Sequence, residues 1–208
     1  MVVLIPSRRA DGALVFKTCV FGPSESGRKT VLKWIIAKEG LSSGKLNEIK
    51  DEKGSMLSYE INLEKIPNVI FQVYTFNVSD ESNVKIVLKG ADAFLFIWDS
   101  LIEQFGEDIW YLKELLKFYG NKLIPPAPFD PPEVPIVVLA NKRDLEDIIE
   151  ISKLRQVLDT AKLNHCLIYE TIAITGVNVK RAFVYAARQA VLNHYKKLSG
   201  KAMDSNAF

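Results

Sequence analysis

The chain has 208 residues, of which 48% are apolar and 25% are charged, and this composition is typical of one soluble globular domain with a buried core. Its 27 basic and 25 acidic residues give a net charge of +2, without the basic excess that is typical of nucleic-acid binding. No apolar run is long enough to cross a bilayer, and neither a signal peptide nor a lipidation motif is present. We therefore expect a cytoplasmic protein with no nucleic-acid partner and no stable membrane anchor.

Two cysteines, Cys19 and Cys166, fall in apolar runs that predict core strands. We expect both to be buried small side chains, and neither a disulfide nor a metal pair. The two histidines, His165 and His194, lack the spacing of metal ligands. The sequence thus predicts no disulfide and no His–Cys metal site.

Apolar, β-rich runs alternate with helical patterns along the chain. In the first half they predict a strand over Ala13–Phe21, a helix over Gly27–Lys38, a loop over Gly40–Gly54, strands over Met56–Leu63 and Val69–Phe76, and a short helix over Glu81–Lys89. In the second half they predict strands over Ala93–Trp98, Ile136–Ala140 and Cys166–Tyr169, and helices over Leu101–Tyr119, Ile151–Ala161 and Val179–Leu198.

The proline-rich segment at about 120–135 predicts an exposed insertion, because proline fits neither a helix interior nor a central strand. Strands and helices alternate again directly after it, so we expect a single domain over 1–208 with a frayed tail at about 199–208. The order of elements predicts an α/β fold, with a mostly parallel central sheet, one antiparallel edge strand and flanking helices.

The run Gly22-Pro23-Ser24-Glu25-Ser26-Gly27-Arg28-Lys29-Thr30 lies where the first predicted strand turns into a helix. Phosphate-binding loops occupy this setting, because closely wrapped backbone N–H groups and a helix N-terminus attract anions. Gly22 and Gly27 have the spacing of the G-x-x-x-x-G-K-[ST] pattern, with Glu25 and Ser26 inside the loop. On this run alone, an ordinary strand–helix connection that binds nothing stays open as an alternative.

The three residues after Gly27 depart from that pattern. Arg28 stands at the lysine position, where its charge can still pair with phosphate oxygens. Lys29 stands at the position of the hydroxyl that ligates Mg²⁺, and an ammonium group has no acceptor for a metal. We expect Lys29 to replace Mg²⁺ electrostatically, which puts a requirement for Mg²⁺ in doubt. The alternative is a one-residue shift, in which Lys29 takes the lysine role and Thr30 binds the metal.

Asn141-Lys142-Arg143-Asp144 directly follows the predicted strand Ile136–Ala140. This is the N-K-x-D pattern of guanine-specific GTPases. The Asp144 carboxylate can accept both N–H groups of guanine, an arrangement that adenine does not offer. Asn141 supplies an amide to the N7 edge, and the stem of Lys142 covers one face of the base.

Glu170-Thr171-Ile172-Ala173-Ile174 follows the last predicted strand. Together with the two preceding motifs, in the same order and spacing, it resembles the Ras superfamily of small GTPases, whose corresponding loop reads E-T-S-A-K. The resemblance implies a P-loop small-GTPase fold, GDP or GTP as the bound cofactor, and a contact between the backbone N–H of Ala173 and guanine O6. Ile172 and Ile174 depart from the family's Ser and Lys.

Three further stretches, Phe71–Thr75, Leu88–Asp92 and Ala173–Val177, look most like bacterial gliding-polarity (Mgl-type) and related prokaryotic small GTPases. The similarity covers about Val15–Tyr195. Members of this family cycle between GTP and GDP states, and several bind proteins of the roadblock/longin type. The resemblance therefore implies a regulatory protein partner.

The second switch of this branch reads T-x-P-G-Q, whereas the aligned residues here are Thr75-Phe76-Asn77-Val78-Ser79. No glycine meets the γ-phosphate and no glutamine orients the attacking water. Substitution by Ser79–Glu81 is a minor alternative. In the first switch, Ser55, or else Ser58, best matches the Mg²⁺-ligating threonine, although an ordinary polar loop residue is the favoured interpretation for both.

Asp99-Ser100 ends the predicted strand Ala93–Trp98, at the side of the sheet where ligands bind in open α/β folds. A cap for the helix that begins near Leu101 is the favoured interpretation of this pair.

The leading functional hypothesis is a guanine-nucleotide-binding regulatory protein with slow or absent intrinsic hydrolysis. The alternative is a pseudo-GTPase, an interaction scaffold that keeps the fold but does not switch on nucleotide. A P-loop kinase of small metabolites fits less well, because N-K-x-D has no role in such an enzyme.

Overall fold

The structure, a computed structural model, describes residues 7–38, 46–51, 54–63, 66–78, 88–127 and 130–204. The strands in this part of the chain are β1 Ser7–Arg8, β2 Leu14–Phe21, β3 Leu46–Asp51, β4 Gly54–Asn62, β5 Val69–Val78, β6 Ala93–Asp99, β7 Ile136–Asn141 and β8 Leu167–Glu170. The helices are α1 Arg28–Ala37, α2 Phe105–Leu123, α3 Ile151–Thr160 and α4 Val179–Asp204. A 3₁₀ turn, Ile102–Gln104, leads into α2.

The strands form one sheet in the order β3-β4-β5-β2-β6-β7-β8, and β1 pairs with the start of β2. Five adjacent strands of this sheet run parallel, namely β5, β2, β6, β7 and β8. β4 is antiparallel to β5, and β3 is antiparallel to β4. The predicted α/β fold with a mostly parallel sheet and an antiparallel edge is therefore confirmed.

Both faces of the central strands are buried, which explains their continuous apolar sequences. Every residue of β6 and β7 is buried. Phe16 and Val20 belong to the core layer between the sheet and helices α1 and α4. Cys19 and Phe21 belong to the layer that α2 and α3 cover. Side chains of β2 thus alternate between the two layers, as the geometry of a strand requires.

Three sequence-based expectations are wrong in detail. The loop predicted over Gly40–Gly54 contains β3, because pairing with β4 overrides the polar composition of that segment. Cys166 lies one residue before β8 and not within a strand. The last helix continues past Leu198 to Asp204, so the tail is helical where fraying was expected to begin.

Cys19 and Cys166 are both free and buried, as expected, and burial raises the pKa of each thiol to about 12. The proline-rich insertion is tied to α4 by the Asn193 Nδ2, which donates to the Pro132 carbonyl at 2.8 Å. Residues 128–129 of the insertion lie outside the described residues, as does the predicted helix over Glu81–Lys89 except for its last two residues.

Candidate nucleotide-binding site

Four loops meet at the carboxyl ends of the parallel strands. They follow β2, β6, β7 and β8, and each carries residues that the sequence analysis singled out. Asp99 at the end of β6 pairs in register with Asn141 at the end of β7, and the Ser100 N–H donates to the Asn141 carbonyl at 3.1 Å. Ligands of open α/β sheets bind at this end of the strands. The loops therefore lie where the fold itself predicts a ligand.

The Asn141 side chain connects three of these loops. It is buried, and its Nδ2 donates to the Ser26 carbonyl at 2.8 Å. Its Oδ1 accepts the Ala173 N–H at 2.9 Å and the Thr171 hydroxyl at 3.2 Å. These bonds orient the amide and fix the loop after β2 relative to the loop after β8. Breaking them would leave buried polar groups unpaired, each at a cost of about 1–3 kcal/mol.

Gly27 brings the predicted phosphate loop up against Asn141. Its φ of 98° is left-handed, and a Cβ at this position would collide with the Asn141 Nδ2. Inside the loop, the buried Ser26 hydroxyl donates to the Pro23 carbonyl at 2.9 Å, whereas Glu25 is exposed. Glycine at position 27 is therefore required both by the backbone conformation and by the close approach of Asn141.

Helix α1 begins directly after Gly27, without an additional residue. The Val31 N–H donates to the Gly27 carbonyl at 2.9 Å, which is the regular bond of a first helical turn. This turn has no side-chain cap and no acidic residue. The N–H groups that a helix leaves without internal partners, together with the positive end of its dipole, face the loop as they do in anion sites. The bulge that a shifted register needs is not observed.

The Arg28 side chain is bound inside the protein. Arg28 is 3% exposed, and its Nη1 donates to the Phe76 carbonyl, near the end of β5, at 2.6 Å. Burial lowers the pKa of this guanidinium, and Tyr111 on α2 offsets part of that effect. Lys29 is exposed, and Thr30 is half-buried. Of the three residues after Gly27, Lys29 therefore has the side chain most open to solvent.

The segments aligned with the two switches are described only in part. Thr75 is buried in β5. Ser55 is half-buried and Ser58 is buried, and both lie within β4, so neither is an ordinary loop residue. Ser79–Glu81, the alternative to the missing glutamine, lie outside the described residues.

Lys142 is paired with a buried carboxylate. Its Nζ lies 2.6 Å from Oδ2 of Asp99, which is 1% exposed. The other oxygen of Asp99 accepts the Leu101 N–H at 3.2 Å, within the turn that follows β6. The 3₁₀ turn and α2 both begin without a side-chain cap, so the expected helix cap is wrong, and the ion pair with Lys142 was not predicted.

Asp108, in the first turn of α2, lies fully buried beside Asp99. Its Oδ1 accepts the Asp99 N–H at 3.0 Å. Burial raises the pKa of the Asp108 carboxyl to about 8; the Asp99 N–H opposes this shift, and the charges of Asp99 and Glu107 add to it. Asp108 is consequently protonated at neutral pH, beside the Asp99–Lys142 ion pair.

Arg143 holds the rest of the N-K-x-D loop in place. Its Nε donates to Glu170 Oε2 at 3.0 Å, and its Nη1 donates to the Ile149 carbonyl at 2.7 Å. Asp144 is exposed, and its carboxylate makes no hydrogen bond or ion pair within the described residues. The loop is thus anchored by Arg143 while the Asp144 carboxylate is left open to a ligand.

The loop after β8 offers a different backbone donor from the one expected. Ala173 is buried, and its N–H, expected to meet guanine O6, donates to Asn141. Ile174 is 74% exposed, and its N–H has no acceptor among the described residues. Gly176, with a φ of 79°, lets the loop pass close to Trp34 of α1, where a Cβ would overlap the indole ring. Ile174 therefore carries an N–H that no acceptor among the described residues engages.

The structure brings the three predicted motifs together at one end of the sheet, with Asn141 in direct contact with Ser26 and Ala173. Sequence reasoning missed the parts played by Thr171, Arg143 and Asp108. An acidic residue in the first turn of a helix gives no signal of burial, because such residues usually complement the helix dipole at the surface. Only the packing of α2 against β6 reveals the role of Asp108.

Within the described residues, no cluster of His, Cys, Asp and Glu side chains could hold a metal ion. At the position of the usual hydroxyl ligand, the Lys29 ammonium has three donors and no acceptor. The side chain at position 29 therefore does not fit Mg²⁺, which binds oxygen ligands.

No protein-family model matches the chain. A curated protein, Mutual gliding-motility protein MglA of Myxococcus xanthus (strain DK1622), is 28% identical to it over 189 residues, which cover 87% of this chain and 92% of that protein. The chain thus resembles Mgl-type small GTPases of the Ras superfamily, as its motifs indicated, and its sheet and helices have the small-GTPase arrangement. In the described part of the chain, no helix is both long and apolar enough to span a membrane.

Proposed function

We propose that the chain is a guanine-nucleotide-binding regulatory protein of the small-GTPase type, which binds GDP and GTP and hydrolyses GTP slowly or not at all. The observation that carries the proposal is the Asn141 side chain, bonded to Ser26, Thr171 and Ala173. This network holds a predicted phosphate loop and a predicted base loop in one fixed relation. The resemblance to MglA supports the same class of function.

Guanine selectivity is assigned to the residues around this network. The exposed Asp144 carboxylate accepts two N–H groups from guanine, whereas adenine presents an acceptor in place of one of them. The N–H of Ile174 takes the place of the Ala173 N–H, which donates to Asn141, as the donor to the base oxygen. The Lys142 stem covers one face of the base.

Phosphate binding is assigned to the loop Gly22–Gly27, the N-terminus of α1 and Lys29. The first turn of α1 has neither an acidic residue nor a side-chain cap that would compete with an anion. Lys29 is exposed beside it and supplies a positive charge where a hydroxyl usually ligates Mg²⁺. We propose that this ammonium takes over the neutralising role of the metal, so that GDP binds without Mg²⁺.

Slow hydrolysis follows from the residues at the end of β5. Thr75–Ser79 contain no glutamine to orient water and no glycine to approach a γ-phosphate closely. Positioning and charge stabilisation carry nearly all phosphoryl-transfer catalysis, so their loss removes most of the rate. We expect unassisted hydrolysis well below about 0.01 per second, the rate of a GTPase that has its catalytic arginine built in.

The second candidate function is a pseudo-GTPase scaffold that does not switch on nucleotide. The binding of Arg28 to the Phe76 carbonyl favours it, because the cation at the motif's lysine position is already engaged within the protein. Under either candidate, a regulatory partner of the roadblock/longin type is a proposal that rests on resemblance alone, and a cytoplasmic location is a proposal that rests on the composition of the chain.

The nucleotide that the protein carries through purification tests the proposed function. After denaturation, chromatography of the released small molecules should show GDP or GTP, and Asp144→Ala should lose it while the exposed Glu146→Gln control keeps it. Adenine nucleotide in its place would contradict guanine selectivity. A protein that carries no nucleotide and does not take up added GDP would establish the scaffold alternative.

A further inference from the structure

A buried ion pair and a second carboxyl group stand behind the base-reading loop. Lys142 Nζ lies 2.6 Å from Asp99 Oδ2, and Asp99 in turn donates its N–H to Asp108 Oδ1 at 3.0 Å. Asp99 and Asp108 are both almost fully buried, whereas the side chain of Lys142 is 26% exposed. The three residues come from β6, α2 and the loop after β7, so they connect three elements of the fold.

We propose that Asp99 is a positioning residue of the nucleotide site, which holds Lys142 against the guanine base, and that Asp108 fixes Asp99 from the side of α2. This inference rests on the proposed function, because it assigns a role to Lys142 in binding guanine.

A lysine stem needs such a support in order to lie against a base. Lys142 has four rotatable side-chain bonds, and fixing a free lysine side chain costs conformational entropy. The Asp99 carboxylate holds the ammonium at one point, so most of that ordering is already present before a ligand binds. Such pre-ordering raises the affinity for the nucleotide, because binding no longer has to supply the free energy of ordering the side chain.

The backbone of Lys142 is also constrained. Its φ of 64° is left-handed, which is uncommon for a residue with a side chain. The neighbouring Asn141 carbonyl accepts the Ser100 N–H at 3.1 Å, and the Leu145 N–H donates to the Lys142 carbonyl at 3.2 Å. The loop thus fixes the backbone from which the Lys142 side chain extends, and Asp99 fixes the ammonium group at the end of that side chain.

Asp108 supports the pairing of Asp99 with Lys142. Its acceptor oxygen holds the Asp99 N–H, and its own burial keeps it neutral at pH 7. A neutral Asp108 leaves Asp99 as the charged partner of Lys142 and does not compete for the ammonium. The arrangement therefore uses two carboxyl groups for two tasks: one binds the cation, and the other holds the backbone.

A double-mutant cycle on GDP affinity tests the proposal. Asp99→Asn, which keeps the size of the side chain, should weaken GDP binding on the order of tenfold, because the ion pair with Lys142 is lost. In a Lys142→Met background the same substitution should change affinity less than about twofold, because Asp99 then has no ammonium to hold. Glu146→Gln, an exposed acid in the same loop, is the matched control and should have no effect.

Equal losses in the two backgrounds would show that Asp99 is only structural, and no loss in either would equally overturn the proposal. If Asp99→Asn fails to fold, Asp108→Ala and Asp108→Asn take its place. The alanine removes the acceptor for the Asp99 N–H and should weaken GDP binding only where Lys142 is present, while the asparagine keeps it and should bind within about twofold of the unmodified protein. An unmodified protein that binds no GDP overturns the proposed function, and this inference with it.

Discussion

The base side and the phosphate side of the candidate site are built in different ways. On the base side, Asn141 makes three buried hydrogen bonds to two other loops, and Lys142 is held by a buried carboxylate. On the phosphate side, Arg28 is engaged with the Phe76 carbonyl, and Lys29 stands exposed where the pattern has a hydroxyl. The base side is therefore held by buried hydrogen bonds and an ion pair. The phosphate side keeps the backbone conformation of its motif but has different side chains at positions 28 and 29.

The difference shows that a motif can keep its conformation after its side chains change. Gly27 keeps its left-handed φ, and the regular first turn of α1 follows it, whichever residues occupy positions 28 and 29. We therefore expect anion binding by the backbone N–H groups to persist, whereas metal binding would depend on a single side chain. Five substitutions test that division, and those expected to change stability or affinity most come first.

Asn141→Ala should destabilise the protein the most. It leaves the Ser26 carbonyl and the Ala173 N–H without their buried partner, and the Thr171 hydroxyl keeps only the Ala140 carbonyl, which lowers the free energy of unfolding by about 3–5 kcal/mol. Urea denaturation measures the change, and Asn121→Ala on the exposed surface of α2 is the control. A loss below about 1 kcal/mol would show that the network is not what joins the loops.

Asp144→Ala should act on ligand affinity and leave folding unchanged, because Asp144 is exposed and has no protein partner among the described residues. Two guanine donors are left unpaired, at a cost of about 2–4 kcal/mol in GDP binding. Calorimetric titration with GDP measures it, and the urea midpoint of the variant serves as the control. An unchanged GDP affinity would remove Asp144 from the site.

Asp108→Asn should change how stability depends on pH. The Asp108 carboxyl has a pKa of about 8 in the folded protein and an ordinary value, near 4, in the unfolded chain. Between these values the folded state binds one more proton than the unfolded state, so the free energy of unfolding falls as pH rises from about 4 to about 8 and is level above that.

Asparagine at position 108 cannot titrate and removes this slope. Relative to the unmodified protein, the variant should gain roughly 2 kcal/mol of stability between pH 6 and pH 7.5, measured by urea denaturation at each pH. Parallel pH profiles for the two proteins would mean that Asp108 is already ionised in the folded state.

Lys29→Ser should restore a dependence on Mg²⁺. In the unmodified protein, removal of Mg²⁺ with a chelator should change GDP affinity less than about threefold, because the Lys29 ammonium supplies the charge. In the serine variant, the hydroxyl can ligate Mg²⁺, and chelation should weaken GDP binding by tenfold or more.

Thr30→Ala distinguishes the shifted register from the proposed one. If Thr30 were the metal ligand, its removal would weaken GDP binding in the presence of Mg²⁺, and Lys29→Ser would abolish binding by removing the main phosphate cation. We expect no effect of Thr30→Ala, since α1 follows Gly27 without a bulge.

The sequence was sufficient where local pattern decides the structure. Continuous apolar runs located β6 and β7, and the residues directly after β2, β7 and β8 contained the three motifs that the structure brings together. β3 was missed because its residues are polar, and only pairing with β4 makes them a strand.

Residues whose partners are distant in sequence could not be predicted. The guanidinium of Arg28 binds a carbonyl 48 residues away, whereas the motif predicted that it would bind a phosphate. The pairing of Lys142 with Asp99, and the burial of Asp108, depend on how α2 packs against β6. A pattern specifies residue types at a spacing, whereas these contacts depend on the whole fold.

The affinity of the unmodified protein for GDP and for ADP, each measured with Mg²⁺ and with a chelator, is the decisive measurement for both sides of the site. We expect GDP to bind at least about a hundredfold more tightly than ADP, because the Asp144 carboxylate pairs only with guanine, and chelation to leave the GDP affinity nearly unchanged. Equal affinities for GDP and ADP would contradict the assignment of the base side, and a large loss of GDP affinity on chelation would contradict that of the phosphate side.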